Sequence, residues 1–197
     1  MKHRQQILQL CIGFCSLLFC INSQALTGGT DTENRAYPVP GHGELMLDVP
    51  GHWEVTYVSM GNNKPPLITF FNKDETDREI FQLNISILWD DSFKRDITSP
   101  DLIHGMVEES GRELLQQSRE NDLDLIPIDG ISGTGYYFRL SDAAPRPGEY
   151  PYLTQGALSV GNVVIIFSLF THQQDSPEVQ ESLDMLRYAS QRFQPHV

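Results

Sequence analysis

Cysteine is confined to one end of this chain. Cys11, Cys15 and Cys20 lie near the N-terminus and none follows. If the segment that holds them is removed, the remaining protein has no disulfide, no thiol nucleophile and no cysteine-ligated metal. Positive charge is also scarce. Fourteen Lys and Arg stand against 26 Asp and Glu, for a formal charge of −12, and the basic residues are scattered. An acidic surface without a basic cluster repels nucleic acid and anionic membrane. Long hydrophobic runs are missing too. The one apolar stretch, Ile7 to Ile21, is broken by Gln9 and Ser16 and falls short of the roughly 20 residues a membrane span needs.

The first 25 residues have the form of an export signal. A basic start (Lys2, Arg4) precedes the apolar stretch, and small residues at Ser23 and Ala25 suit signal peptidase. Phe19 before Cys20 argues against a lipoprotein signal. The expectation is residues 1–25 as a signal peptide, a secreted or periplasmic location, and no stable membrane span after cleavage. Losing Lys2 and Arg4 with the leader takes the formal charge from −12 to −14. Residues 26–43, polar and rich in Gly and Pro, read as a flexible tether. Residues 44–197 read as one domain, long enough to bury a core without disulfides.

Period-2 alternation, the mark of half-buried strands, dominates from residue 44. It runs through Leu45, Leu47 and Val49, then Trp53, Val55 and Tyr57, then Leu67 to Phe71. It is clearest in Phe81, Leu83, Ile85, Ile87 and Trp89. Ser99-Pro100 opens a helix with Leu102, Ile103, Met106, Val107 and Leu114 on one face, fading near Asn121. Strands return at Leu123–Ile128 and around Tyr136, Phe138 and Leu140. A hairpin joins Tyr150–Val160 to Val163–Thr171 through Gly161-Asn162. Val163 to Phe167 is apolar on both faces, which predicts a central, doubly covered strand. Ser176-Pro177 opens a last helix with Val179, Leu183, Leu186 and Phe193 facing the core. Four strands, a helix, four strands and a helix, joined mostly by short turns, predict an α+β fold. Its sheet is mainly antiparallel and packed with two main helices.

Tests for catalytic motifs fail one by one. Gly130-Ile131-Ser132-Gly133-Thr134 lacks the last Gly of a nucleophile elbow. Gly133 and Gly135 begin a dinucleotide-type loop, but Phe138 stands at the third Gly position and the segment runs into a strand. Asp122 and Asp124 have calcium-loop spacing without the Gly that should follow. His42, His52, His104, His172 and His196 show no metal-binding spacing. Glu108-Glu109 is a solvated helix face. Asn84-Ile85-Ser86 is a glycosylation sequon. No catalytic residue, metal ligand or cofactor is assigned on this basis. The loop from Asp142 to Glu149 is longer than a tight hairpin requires, and it is flanked by tyrosines and arginines, residue types enriched at binding hot spots. Alternation puts Tyr136 with Phe138 in the core and turns Tyr137 and Arg139 outward or toward the second helix layer. The candidate binding surface is therefore Tyr137, Arg139, Arg146, Tyr150 and Tyr152.

The opening Leu45-Met46-Leu47-Asp48-Val49-Pro50 with Trp53 after it, the strand Phe81 to Trp89, the helix after Ser99-Pro100, Gly135-Tyr136-Tyr137-Phe138 and the closing strand–helix pair together resemble the PsbP-like superfamily, which includes PsbP and DcrB-like envelope proteins. The resemblance covers about residues 44–193. It implies an antiparallel sheet with helices on its faces, a PsbP-like α/β/α sandwich, and a role in binding or assembly. It transfers no catalytic residue. The functional expectation is an exported, non-enzymatic accessory protein with a protein partner in the cell envelope and no nucleic-acid partner. The alternatives are a hydrolase using carboxylates or histidines, and a divalent-cation binder.

Overall fold

The computed structural model describes residues 31–59, 64–90 and 96–193. The leader with its three cysteines, the first residues of the expected tether, residues 61–63 of the Gly- and Pro-rich turn expected before Leu67 (Gly61–Pro66), and His196 lie outside the described residues.

Among the described residues ten strands and two helices follow in order. The strands are β1 (Thr32–Val39), β2 (Gly43–Pro50), β3 (Glu54–Val58), β4 (Leu67–Lys73) and β5 (Glu79–Leu88). Helix α1 (Pro100–Leu115) comes next, then β6 (Ile126–Gly130), β7 (Gly133–Ser141), β8 (Tyr152–Val160), β9 (Val163–Thr171), helix α2 (Pro177–Arg187) and β10 (Ser190–Arg192). Every strand pair is antiparallel. One sheet has the order β3-β4-β5-β9-β8-β7-β6 and the other β1-β2-β10. The α+β reading holds, with β9 at the centre of the large sheet as its apolar run requires.

Alternation decides which face each side chain serves. Odd-numbered residues of β5 and β9, such as Leu83, Ile85, Ile165 and Phe167, point to an inner face shared with Leu45, Leu47 and Val49 of β2 and with Val179, Leu183 and Leu186 of α2. Val164 and Ile166 point to the outer face, where Ile103 and Val107 of α1 meet Phe138 and Leu140. The small sheet and α2 cover one side, and α1 covers part of the other. Gly161, at φ +63°, starts the β8–β9 turn in a conformation that favours glycine.

Four boundaries differ from expectation. The tether read over 26–43 contains β1, paired along its length with β2. Gly and Pro obscured a two-residue alternation that buries Tyr37 and Val39. Helix α1 stops at Leu115, before Asn121. There the Ser118 hydroxyl bonds the Leu115 carbonyl, and Arg119 N donates to Ser141 O, so the chain is drawn to the end of β7. Strand β6 begins at Ile126 because Leu123 sits against the bare backbone of Gly111 on α1. Phe193 is outside the α2 stripe, 60% exposed, because the helix ends at Arg187 and the chain then extends as β10.

Candidate functional site

The strands set two ends to the molecule. At one end lies the loop after β7, the expected site. It is tied to itself and its surroundings. Asp142 N bonds Pro151 O at 2.8 Å and Ala143 N bonds Gln117 O at 3.1 Å. Ala144 N donates to Asp142 Oδ1 and Arg146 N to Glu149 Oε2. The Tyr150 ring lies 4.5 Å from that of His172, and its hydroxyl meets Glu79 Oε2 at 3.3 Å. Tyr150 thus fastens the loop to β5 and β9.

The five candidate residues do not form one surface. Tyr137 is a correction. It is 5% exposed and belongs to the inner core beneath β7, because β7 has a layer on each face and alternation supplies both. Arg139 shares that face. Its guanidinium lies over the Tyr137 ring at 5.8 Å and 3.7 Å from Asp175, and its buried Nε has no hydrogen-bond partner among the described residues. Tyr152 is half-buried and lines a cavity of about 10 Å³ with Arg139, Glu120, Thr154 and Gln174, space for about one water. Burial pushes the Glu120 carboxyl up, but hydrogen bonds from the Ser141 amide and hydroxyl outweigh it and hold the group below its ordinary value. Arg146 alone of the five is exposed.

The opposite end was not singled out by the sequence. Here Gln191 joins two turns, the one after β1 and the one after β8. Its Oε1 accepts from Asn162 N at 2.8 Å, and its Nε2 donates to Asn162 Oδ1 at 2.6 Å and to His42 O at 2.7 Å. Ile131 N bonds Arg187 O, and Gly161 N bonds Ser132 O. On this framework Ile131 is 65% exposed, Tyr188 58% and Phe193 60%. Val58, at the same end of the strands, is 44% exposed. These are all the large exposed hydrophobic side chains among the described residues. Exposed apolar side chains gathered at one end make it the candidate contact surface. A signal existed in sequence: Phe193 and Tyr188 flank a strand too short to bury both. The charged loop between β4 and β5, at the other end, is different in kind. Asp74, within it, accepts from the Thr76 hydroxyl and from the Arg78 and Thr76 amides, which lower its carboxyl to about 2.

No family model matches this chain, and no curated protein does. Among solved structures, the cyanobacterial PsbP (CyanoP) from Synechocystis sp. PCC 6803 has 15% identity and a TM-score of 0.51, covering 87% of this chain and 99% of its own. A Bacteroides thetaiotaomicron protein has 14% identity and a TM-score of 0.48 over 77% of this chain. The present chain spans 46% of that protein's length. The agreement with CyanoP over 87% of this chain means that it has a PsbP-like fold.

Proposed function

We propose that the protein is an exported, non-catalytic accessory protein of the cell envelope, and that it docks on a protein partner through the end bearing Ile131, Tyr188 and Phe193. The observation that carries this reading is the exposure of those three side chains at one end of an otherwise acidic molecule. The N-terminal leader supports export, and the PsbP-like fold supports an accessory role by analogy alone.

Crosslinking of the leader-free protein in its native envelope fraction, read by mass spectrometry, tests this. A single reproducible partner is expected. It should be lost in the double variant Ile131→Asp, Tyr188→Asp and kept in Arg146→Ala. Loss with Arg146→Ala instead would move the contact to the 142–150 loop. No partner in any form would overturn the reading.

A further inference from the structure

Helix α1 lies over β7 and β8 and leaves the outer face of β4, β5 and β9 half-exposed. Cross-strand register arranges that face in rows. Phe71 and Phe170 stand on either side of Gln82, and Thr69 and Ser168 on either side of Asn84. The two phenyl groups are two strand spacings apart, about 10 Å. The rows lie two residues apart along β5, about 7 Å. From β4 to β9 neither row carries a charged side chain.

The polar groups of this floor are partly used and partly free. Asn84 Oδ1 accepts from Thr69 Oγ1 at 2.9 Å and from Gln82 Nε2 at 3.1 Å. That orients both amides and leaves Asn84 Nδ2 as a donor, and Gln82 Oε1 as an acceptor, without partners among the described residues. Gln155 ties the floor to the helix beside it, accepting from Ser168 Oγ at 3.1 Å and donating to Ser110 Oγ at 2.7 Å. The result is a fixed, uncharged patch with a free acceptor between two phenyl groups and a free donor in the next row, between Thr69 and Ser168.

We propose that this face binds a neutral glycan chain. A pyranose ring presents C–H groups on its faces, which lie well on the electron-rich faces of phenyl rings. Its rim hydroxyls both donate and accept, which matches the free Nδ2 and Oε1. A few placed polar groups among apolar ones is the usual make-up of a small-ligand site. Charge bears on the class: a chain of formal charge −12 repels an anionic polymer, and the two rows from β4 to β9 are uncharged, with Glu54 of β3 beside Phe71 as the carboxylate at their edge. An added peptide strand is disfavoured, because β5 and β9 are paired on both sides and offer no free ladder.

Titration of the protein with soluble hexasaccharides of glucose, of mannose and of N-acetylglucosamine, followed by NMR of its side-chain amides, tests this. At least one sugar should move the Asn84 and Gln82 signals and saturate at millimolar concentration or below. Asn84→Asp keeps the Oδ1 acceptor and removes the free donor. Phe71→Leu keeps apolar cover and removes the ring. Each should weaken binding about ten-fold, the equivalent of one lost hydrogen bond or stacking contact. The variant Ile131→Asp, Tyr188→Asp should bind sugar unchanged, so this proposal and the docking reading fail separately. No amide shift with any of the three sugars overturns the proposal. So does binding unchanged in both Asn84→Asp and Phe71→Leu, or a response confined to neutral extended peptides.

Discussion

Gln191 has more tertiary bonds than its place in a three-residue strand suggests. One side-chain amide serves Asn162 twice and His42 once, and it is half-buried. Gln191→Ala leaves those groups without it and should cost about 1–3 kcal/mol, read as a lowered urea midpoint with an unchanged slope. Amide exchange should rise first at Asn162. Asp74 acts through protonation. Its carboxyl is lowered to about 2 from an ordinary 3.8, so the folded state favours the charged form. Its contribution is full above 3.8 and is lost as the pH falls toward 2. The amides of Thr76 and Arg78, which it accepts from, should therefore stay protected below pH 3.8 and open near 2. Protection lost already at 3.8 would contradict the assignment. At this scale the sequence was least informative. Tyr137 and Tyr150 read as surface residues because tyrosine tolerates both environments. Only the second layer beneath β7, and the distant partners Glu79 and His172, decide that one is core and the other a fastener. Gln191 carried no local mark at all, since its partners are 29 and 149 residues away.

Elements with strong periodicity were legible. The alternations of β2 and β5, the Gly161-Asn162 hairpin and both Ser-Pro helix starts appear where the pattern puts them. Neither serine side chain caps its helix, so the proline at the first helical position marks the start. Strand β1 was hidden because Pro38, Pro40 and Gly41 look like a tether, while its core contribution is only Tyr37 and Val39. That contribution is large enough to measure. A chain beginning at Gly43 loses both buried side chains and the bond from the Tyr57 hydroxyl to Pro38 O. It should be less stable by about 3 kcal/mol or more, counting about 1.5–3 kcal/mol for each buried side chain. Equal stability of the two forms would restore the tether. Helix α1 offers the opposite change. Gly105 is exposed, and an added Cβ would meet nothing within 4 Å. Gly105→Ala should therefore stabilise the protein by about 0.5–1 kcal/mol, seen as a raised urea midpoint. Gly111 behaves differently, because its Cβ would meet the Leu123 methyls at 2.6 and 2.8 Å.

The whole molecule is polarised along its strands. The end with Ile131, Tyr188 and Phe193 holds the most exposed large apolar side chains, beside the ion pairs Arg187–Asp184 and Arg192–Glu44, and the end with Asp74, Asp77, Glu149 and Asp175 is charged. The excess of acids is spread over the rest. Arg35, Lys73, Arg78, Arg112, Arg139, Arg187 and Arg192 each lie within ion-pair distance of a carboxylate. With most of the described Lys and Arg committed in this way, carboxylates such as Glu109 and Glu113, one turn apart on α1, share as their neighbouring cation only Arg112, which is already bonded to Glu108. The local pairs are exposed and each contributes little. The summed repulsion of a −12 chain acts over a longer range. At about 0.01 M salt the Debye length is about 30 Å, which reaches across the domain, and at about 0.15 M it falls to about 8 Å. Salt therefore removes more repulsion than attraction, and Tm should rise as sodium chloride is added over that interval. A falling Tm would mean that the ion pairs outweigh the excess charge. The same screening leaves apolar contact intact, so docking through Ile131 and Tyr188 should persist at the higher salt. A partner held by the charged end would be released.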